Sequence, residues 1–272
     1  MVFETAALFS VLALQGATTA GAVPALPIRG EAAEVFLREA EVVVLEEIDS
    51  KGITDPRKAV LTDGALTVDA VFKDIDVLHS EATLPGGLVL YRLRDYYKHE
   101  IAAYELDTLL GLGLVPPTVE RKIRREWGSL QLWVNGATTE WQRKKIDNRS
   151  PPDMAAWNDQ ISTLKVFLQL IWDTDYNNIS NIMVDSSWKI WKIDSSRAFY
   201  VDNELRREGA LTRFSRRMLA ALESLDRAEL EATMKPWLDK RQIRALWHRR
   251  CRILELAEER VAELGEDEVL YD

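Results

Sequence analysis

The chain has 272 residues, of which 47% are hydrophobic and 29% are charged. This composition is that of a folded globular protein, so it excludes a collagen-like fibre and a chain that is disordered throughout. The 44 acidic and 35 basic side chains give a net charge of −9. That charge argues against a nucleic-acid binder, because phosphate backbones are bound by Lys and Arg. The single cysteine, Cys251, excludes an internal disulfide and a cysteine-based zinc site.

The first residues share some features with an export signal. An apolar stretch, Ala6–Leu14, precedes small residues at 16–22, as in a secretory signal peptide, but Glu4 stands where a basic residue is expected. Residues 1–28 are therefore expected to be a signal peptide or an N-terminal extension, with a linker at Pro24–Pro27. A periplasmic or otherwise exported protein and a cytoplasmic one fit this pattern equally. No apolar stretch is long enough for a transmembrane helix.

The first half of the chain alternates short strands with turns. Ala59–Leu61 and Ala65–Phe72 flank the turn Asp63-Gly64, a pattern that predicts a β-hairpin. The other elements predicted in this half are a helix from Glu31 that runs into a strand at 41–45, strands at 88–93 and 128–134, an extended segment at 115–119 and one amphipathic helix at 95–110. We therefore expect a β-rich lobe with one conspicuous helix over residues 29–136.

The second half is expected to be mostly helical. One amphipathic helix is indicated by apolar residues at spacings of 4, 3, 4 and 3, namely Trp157, Ile161, Leu164, Leu168 and Ile171. A polar loop and a hairpin at 182–193 follow it, and from Leu205 onward the pattern predicts helices only. The expected fold class is α+β, with a small β-rich N-lobe and a larger helical C-lobe at 137–272.

The most informative stretch of the sequence begins at Asp173. A helix ends there, a loop presents Asp175 and Asn181, a short hairpin follows, and Asp194 stands at its far end. Phosphoryl transfer from a nucleotide needs one carboxylate to orient the attacking hydroxyl, and an Asn and a second carboxylate to hold Mg²⁺. Taken alone, the pattern is equally compatible with a helix cap and two turn aspartates.

A lysine in the first half strengthens the catalytic interpretation. Lys73 ends an apolar strand, a position suited to neutralising nucleotide phosphates, although a solvated strand-end lysine is commoner. Glu100, on the predicted helix, could pair with Lys73, and Glu105 and Asp107 are rival partners. More specific than any one residue is the order: hairpin, strand Lys, helix Glu, edge strand, helix, Asp-loop-Asn, hairpin, Asp. This is the order of a protein-kinase-like fold.

With these features the chain resembles atypical kinase-like proteins: phosphatidylinositol kinases, HipA-type bacterial kinases and secretory-pathway kinases of the Golgi casein kinase kind. The similar stretches are FKDID (72–76), YKHEIAAYELDTLLGLGLVPPTV (97–119), GSLQLWV (128–134), WDTDYNNISNIMVD (172–185) and WKIWKIDSSRAF (188–199). The resemblance implies a two-lobed fold, ATP as a substrate and Mg²⁺ or Mn²⁺ as the metal. It also suggests a bacterial source.

The same resemblance implies roles for individual residues. Lys73 would contact the ATP phosphates, Glu100 would pair with it, and Asp175 would be the catalytic aspartate. Asn181 and Asp194 would hold the metal ion. The phosphate loop and the segment that meets the adenine would supply the remaining nucleotide contacts: Gly52, Gln131, Leu132, Trp133 and Val134.

Three departures from the pattern of these proteins leave the activity open. Tyr176 replaces a basic residue, and Asn181 lies six residues after Asp175 rather than five, so Asn178 is an alternative metal ligand. The expected phosphate loop has one glycine, Gly52, rather than three. The first hypothesis is a kinase that acts on an unknown hydroxyl of a protein, sugar, lipid head group or small molecule. The alternatives are a pseudokinase that serves as a nucleotide- or protein-binding module, and an enzyme that transfers AMP.

Overall fold

The computed structural model describes residues 24–48 and 55–272. The predicted signal-like segment, residues 1–22, and the predicted phosphate-loop residue Gly52 lie outside this part of the chain. No helix in the described part is long and apolar enough to cross a bilayer.

The first half is β-rich, as expected. Its elements are, in chain order, α1 (Gly30–Glu39), β1 (Glu41–Glu47), β2 (Arg57–Thr62), β3 (Thr67–Lys73), β4 (Asp76–Thr83), β5 (Val89–Tyr96), α2 (Tyr97–Leu109), β6 (Thr118–Ile123) and β7 (Glu126–Leu132). Five of the strands form an antiparallel sheet in the order β1-β2-β3-β7-β6. The predicted hairpin is β2–β3, and Asp63 Oδ1 fixes its turn by accepting from the backbone N–H of Ala65 and Leu66.

One hairpin of the first half was missed in part by the sequence analysis. The predicted strand at 88–93 is β5, but it pairs with β4 in a separate two-stranded sheet. Most residues of β4 are exposed, so no apolar alternation marks the strand in the sequence. The helix predicted from Asp95 begins at Tyr97, because Asp95 and Tyr96 still belong to β5.

The second half is mainly helical. Its elements are β8 (Thr138–Thr139), α3 (Glu140–Lys145), α4 (Met154–Leu170), β9 (Ile182–Val184), β10 (Ile190–Lys192), β11 (Phe214–Ser215), α5 (Arg216–Ser224), α6 (Arg227–Met234), α7 (Lys240–Leu264), α8 (Glu266–Val269) and β12 (Leu270–Tyr271). The predicted amphipathic helix is α4 and the predicted hairpin is β9–β10. The expectation of helices only from Leu205 onward is wrong, since β11 and β12 pair in parallel. Two-residue strands are too short to carry a periodic signal.

Buried side chains form two main hydrophobic cores in the described residues. The first lies between the five-stranded sheet and α1, and Leu37, Phe72 and Leu130 are fully buried there. The second fills the helical half, where Phe167 and Phe199 are fully buried. Since burial of apolar side chains is the main favourable term in folding, both cores stabilise the fold, and Trp191 of β10 joins the helical half to the first core.

Helix α2 belongs to the first half by sequence and packs on both halves, because it contacts β6 and β7 of the sheet and α6 of the helical half. Ala102 and Leu106, which lie on its predicted apolar stripe, are buried in the second core. Glu100 lies in the first turn of the same helix. The helix therefore carries Glu100 to the boundary between the two cores.

The segment predicted as a linker, Pro24–Pro27, packs against the sheet instead. Leu26 is buried in the first core, and the carbonyl oxygen of Ala25 accepts a hydrogen bond of 2.8 Å from the backbone N–H of Asn135. A proline-rich composition argues against regular secondary structure but not against packing. The lobe boundaries near residues 28 and 136 stay predictions.

Side chains of β3 and β7 point alternately into the first core and away from it. Phe72, Leu130 and Leu132 are buried in that core. Successive side chains of a strand point to opposite faces, so Lys73 and Gln131 lie on the other face of the sheet.

Gly128 is needed where β7 passes over the end of β3. A Cβ at this position would meet the carbonyl oxygen of Lys73 and would lie 2.7 Å from Cζ of Phe72. Gly128→Ala is therefore expected to lower the free energy of unfolding by about 1–3 kcal/mol, measured by urea denaturation. Gly209→Ala is the control, because no atom lies within 4 Å of the added Cβ there. Equal losses in the two variants would contradict this prediction.

Candidate active site

Lys73 lies between two carboxylates at the end of β3. Its Nζ is 2.7 Å from Oε1 of Glu100 and 2.7 Å from Oδ1 of Asp194. The predicted ion pair with Glu100 is therefore present, and Glu100 is almost completely buried. The rival partner Asp107 instead accepts hydrogen bonds from backbone N–H groups that follow α2. Residues from three distant elements thus meet at one cation.

The charges of this cluster support one another. Burial alone would lower the pKa of Lys73, but Asp194 and Glu100 raise it above its ordinary value. Burial alone would raise the pKa of Asp194, but Lys73 and then Lys192 hold it below its usual range. Lys73 and Asp194 are therefore both charged at neutral pH.

The second oxygen of Glu100 joins α2 to the segment after Asp194. Oε2 of Glu100 accepts a hydrogen bond of 2.8 Å from the backbone N–H of Ser195. The carbonyl oxygen of Ser196 accepts from the backbone N–H of Tyr96, at 2.9 Å, and lies 2.8 Å from Nδ1 of His99. The segment that begins at Asp194 is therefore fixed to the start of α2 at two consecutive residues.

His99 is buried in a neutral form. Its Nδ1 faces a carbonyl oxygen, so it carries the proton, and Nε2 accepts from the side-chain amide of Gln242 at 3.0 Å. Burial lowers the pKa of His99 from 6.5 to about 4. Between these values the unfolded chain binds a proton that the folded chain does not, so stability falls as the pH falls through this window.

His99→Asn is expected to remove this part of the acid sensitivity. For the parent, the contribution of His99 to the free energy of unfolding should fall by about 3 kcal/mol between about pH 7 and pH 4. Urea denaturation of parent and variant at several pH values in this range measures the difference. Parallel pH dependences for the two proteins would contradict the role of His99.

Asp175 lies in the loop that follows α4. Its backbone N–H donates to Oδ1 of Asp173 at 2.8 Å, and its carbonyl oxygen accepts from the backbone N–H of Asn178 at 2.7 Å. The carboxylate is 27% exposed and lies 3.6 Å from Nη1 of Arg197. Burial raises the pKa of Asp175, an effect that Arg197 partly opposes. The loop thus presents a carboxylate that reaches solvent.

Asn181 and Asn178 have different surroundings. Asn181 is buried, and its backbone carbonyl oxygen accepts a hydrogen bond of 3.0 Å from the backbone N–H of Ile193, the residue before Asp194. Asn178 is exposed, and its Oδ1 caps the short 3₁₀ turn Ile179–Asn181. Asn181, not Asn178, is bonded to the strand that leads to Asp194.

Asp194 and Asn181 carry oxygens of the kind that a hard divalent cation prefers. The first has a carboxylate and the second an amide oxygen, both ligands of Mg²⁺ in proteins, and Oδ1 of Asn181 accepts a hydrogen bond of 3.2 Å from Nδ2 of Asn178. The side-chain nitrogen of Asn181 is buried and has no hydrogen-bond partner within the described residues. Residues 24–48 and 55–272 contain no cluster of three or more His, Cys, Asp or Glu side chains that could hold a metal ion. A cation here would therefore depend on the Asn181 oxygen and on nucleotide phosphates as well as on Asp194.

The segment predicted to meet the adenine presents few side chains to the open face of the sheet. Leu132 and Val134 are buried in the first core, so they could offer a nucleotide only backbone atoms. Gln131 faces away from that core, but its Nε2 donates to Oγ1 of Thr118 at 2.9 Å. Trp133 is only partly buried, so its ring remains the side chain of this segment that could face a base.

Comparison with solved structures finds proteins of similar fold. A hydra Fam20 protein, solved with sugar, is 16% identical with a TM-score of 0.62, and the match covers 90% of this chain and 93% of that one. The Golgi casein kinase is 13% identical with a TM-score of 0.60, and the match covers 88% and 76% of the two chains. The chain has a protein-kinase-like fold.

This finding confirms the predicted two-lobed α+β fold class. At such low identities, the similarity concerns the fold and not the activity. No protein-family model and no curated protein sequence matches the chain. The comparisons do not support the bacterial source that the sequence suggested.

Some residues of the site were missed by the sequence analysis. Arg197 contacts Asp175, and the buried pair Asp173 and Lys192 lies between Asp175 and Asp194. A signal for Lys192 was available, because a charged residue within the apolar run Ile-Trp-Lys-Ile is unusual unless it is paired. No comparable signal in the sequence marks Arg197.

Proposed function

We propose that this protein is an ATP- and Mg²⁺- or Mn²⁺-dependent phosphotransferase, which transfers the γ-phosphoryl group to an acceptor hydroxyl. The observation that carries the proposal is the contact of Lys73 with both Glu100 and Asp194. An ammonium group fixed by a helix glutamate and next to a metal-binding aspartate is the arrangement that phosphoryl transfer uses. The protein-kinase-like fold supports the same proposal.

In this proposal, Lys73 binds the phosphates of ATP and Glu100 keeps its ammonium group in place. Asp194 and Asn181 would hold the metal ion, which, when bound, neutralises charge on the phosphoryl oxygens during transfer. Because Lys73 holds the pKa of Asp194 below its usual range, the carboxylate is available as a ligand at neutral pH.

Asp175 would orient the acceptor hydroxyl and accept its proton. A carboxylate whose pKa is raised by burial is a stronger proton acceptor than an exposed one, and the pKa of Asp175 is raised. Asp175 also borders a cavity of about 290 Å³, in which an acceptor hydroxyl could approach the carboxylate. The other lining residues are Pro85, Thr174, Tyr176, Asn177, Asn178 and Arg206.

The surroundings of Tyr176 favour an active enzyme over a pseudokinase. Tyr176 stands where the kinase-like pattern has a basic residue. The guanidinium groups of Arg206 and Arg207, however, lie 5.1 and 5.2 Å from the centre of its ring. Nη1 of Arg206 also donates to the carbonyl oxygen of Thr174 at 2.6 Å. Positive charge is therefore present beside Asp175 although the loop itself lacks it.

The test is a transfer assay with two labelled forms of ATP. The protein is incubated with Mg²⁺ and either γ-³²P-ATP or α-³²P-ATP, together with panels of proteins, sugars, lipid head groups and small hydroxyl compounds. Sugars belong in the panel because one structure of similar fold was solved with sugar. The expected result is transfer of label from γ-³²P-ATP alone.

Other outcomes of this assay would contradict the proposal. Transfer from α-³²P-ATP would identify an enzyme that transfers AMP. Binding of ATP with Mg²⁺, detected as a thermal shift, but without transfer to any acceptor would identify a pseudokinase. A protein that shows no thermal shift with ATP and Mg²⁺ together would exclude a nucleotide site.

A further inference from the structure

Lys192 is a fully buried lysine at the end of β10. Its side chain is 2% exposed, and its Nζ lies 2.8 Å from Oδ2 of Asp173. The same Nζ donates to the carbonyl oxygens of Ile193 and Asp194, at 2.7 and 2.8 Å. The ammonium group thus donates two hydrogen bonds to backbone carbonyl oxygens and forms an ion pair with Asp173. Its charge is compensated inside the protein by a carboxylate at 2.8 Å.

Asp173 forms the other half of this arrangement. Its side chain is also 2% exposed. While Oδ2 faces Lys192, Oδ1 accepts a hydrogen bond of 2.8 Å from the backbone N–H of Asp175. A continuous set of contacts therefore runs from the backbone of Asp175 through Asp173 and Lys192 to the backbone of Asp194.

The backbone of Asp194 needs such support. Its φ is +59°, in the left-handed region that residues with a Cβ rarely adopt. The backbone carbonyl oxygens of Ile193 and of Asp194 itself both accept a hydrogen bond from Nζ of Lys192. Strained backbone of this kind persists only when its surroundings fix it.

A buried ion pair is a costly way to join two loops. Removing two charges from water is unfavourable, and apolar residues of similar volume often give equal or greater stability. Stability alone therefore does not explain a pair at this position. Its contacts instead connect the backbones of the two aspartates that the proposed reaction uses.

We propose that Asp173 and Lys192 are a positioning pair that fixes the backbone of Asp175 relative to that of Asp194. The inference rests on the proposed function, in which these two aspartates act on one nucleotide. In this role the pair acts through the backbones of Asp175 and Asp194 and not directly on substrate or metal.

The test uses the double variant Asp173→Asn/Lys192→Met, which removes both charges and keeps both side chains similar in size. The readout is the ratio of the ATP dissociation constants without and with Mg²⁺, from calorimetry. We expect the double variant to remain folded and this ratio to fall at least tenfold, because Asp194 is no longer held in place. The affinity for ATP without Mg²⁺ should stay within about twofold of the parent.

The single variants test whether the two residues act as a pair. Asp173→Asn leaves Lys192 as an unpaired buried cation, and Lys192→Met leaves Asp173 as an unpaired buried anion. Each is expected to lower the melting temperature more than the double variant does, since an uncompensated buried charge is the larger penalty. If the decreases in melting temperature of the two single variants summed to that of the double variant, the two residues would not act as a pair.

A second buried ion pair provides a matched control. Glu140 and Arg143 of α3 are 8% and 7% exposed and bond to neither Asp175 nor Asp194. Glu140→Gln/Arg143→Met should leave the Mg²⁺-dependent ratio within about twofold of the parent. An equal loss in this control would show that any buried pair has the effect, and the positioning role would be overturned.

Two outcomes separate this inference from the proposed function. A parent protein that gains no ATP affinity from Mg²⁺ overturns the proposed function and this inference with it. If the parent gains ATP affinity from Mg²⁺ and the folded double variant keeps the same gain, the positioning role is overturned and the proposed function is not. If the double variant does not fold, Asp173→Glu keeps both charges but moves the carboxylate. A fall of at least threefold in the ratio is then expected, and an unchanged ratio overturns the proposal.

Discussion

Asp194→Ala is expected to lower the affinity of the protein for ATP in the presence of Mg²⁺ by at least about 100-fold, with the chain still folded. The variant loses the carboxylate that would bind the metal, whereas Lys73 keeps its contact of 2.7 Å with Glu100. The Asp194 side chain is 36% exposed, so its truncation leaves no closed cavity. Ala, like Asp, has a Cβ, so the substitution does not relieve the strain of the left-handed backbone at this position. A change in binding therefore reflects the lost carboxylate.

Calorimetric titration with ATP, with and without Mg²⁺, measures this effect, and circular dichroism checks the fold. Asp76→Ala is the matched control, since Asp76 is an exposed aspartate of β4 that pairs with Arg94. This control should bind Mg²⁺ and ATP like the parent. Binding as tight as that of the parent in Asp194→Ala would show that the metal site is wrongly assigned.

Asp175→Asn is expected to lower the turnover number by about 10²–10⁴-fold and to leave the dissociation constant of ATP within about twofold. The amide has the size of the carboxylate but cannot accept the proton of the acceptor hydroxyl. Its backbone N–H can still donate to Asp173, so the loop should keep its shape. The loss should therefore appear in turnover rather than in nucleotide binding.

Single-turnover transfer of ³²P from ATP, together with calorimetric binding, separates these two quantities. Asp267→Asn, the same substitution at an exposed residue of α8, is the control and should retain turnover within about threefold. If Asp175→Asn retained more than a tenth of the parent's turnover, Asp175 would not be the residue that accepts the proton.

The ion pair of Lys73 and Glu100 could be predicted because local patterns indicate both of its elements. An apolar strand ends at Lys73, and a stripe at helical spacing runs beyond Glu100. The additional contact of Lys73 with Asp194 could not be predicted, since the two residues are 121 positions apart. Its formation depends on where the β9–β10 hairpin packs, and no local pattern encodes that.

Other features escaped the sequence analysis because they are fixed by long-range contacts. Strand β4 is mostly exposed on both faces, so its sequence lacks the alternation that marks a half-buried strand. The burial of Lys192 depends on Asp173, which lies on a different element. Likewise, only tertiary packing assigns α2 to the core of the helical half.

The packing of α2 sets a condition on any relative movement of the sheet and the helices. The helix contacts β6 and β7 of the sheet as well as α6, and its Ala102 and Leu106 are buried in the second core. The ion pair of Lys73 and Glu100, with its contact of 2.7 Å, therefore joins a strand to a helix that both halves of the chain hold. A movement of the sheet away from α2 would have to break this ion pair, whereas a movement of the sheet and α2 together would have to break the contacts of α2 with the second core.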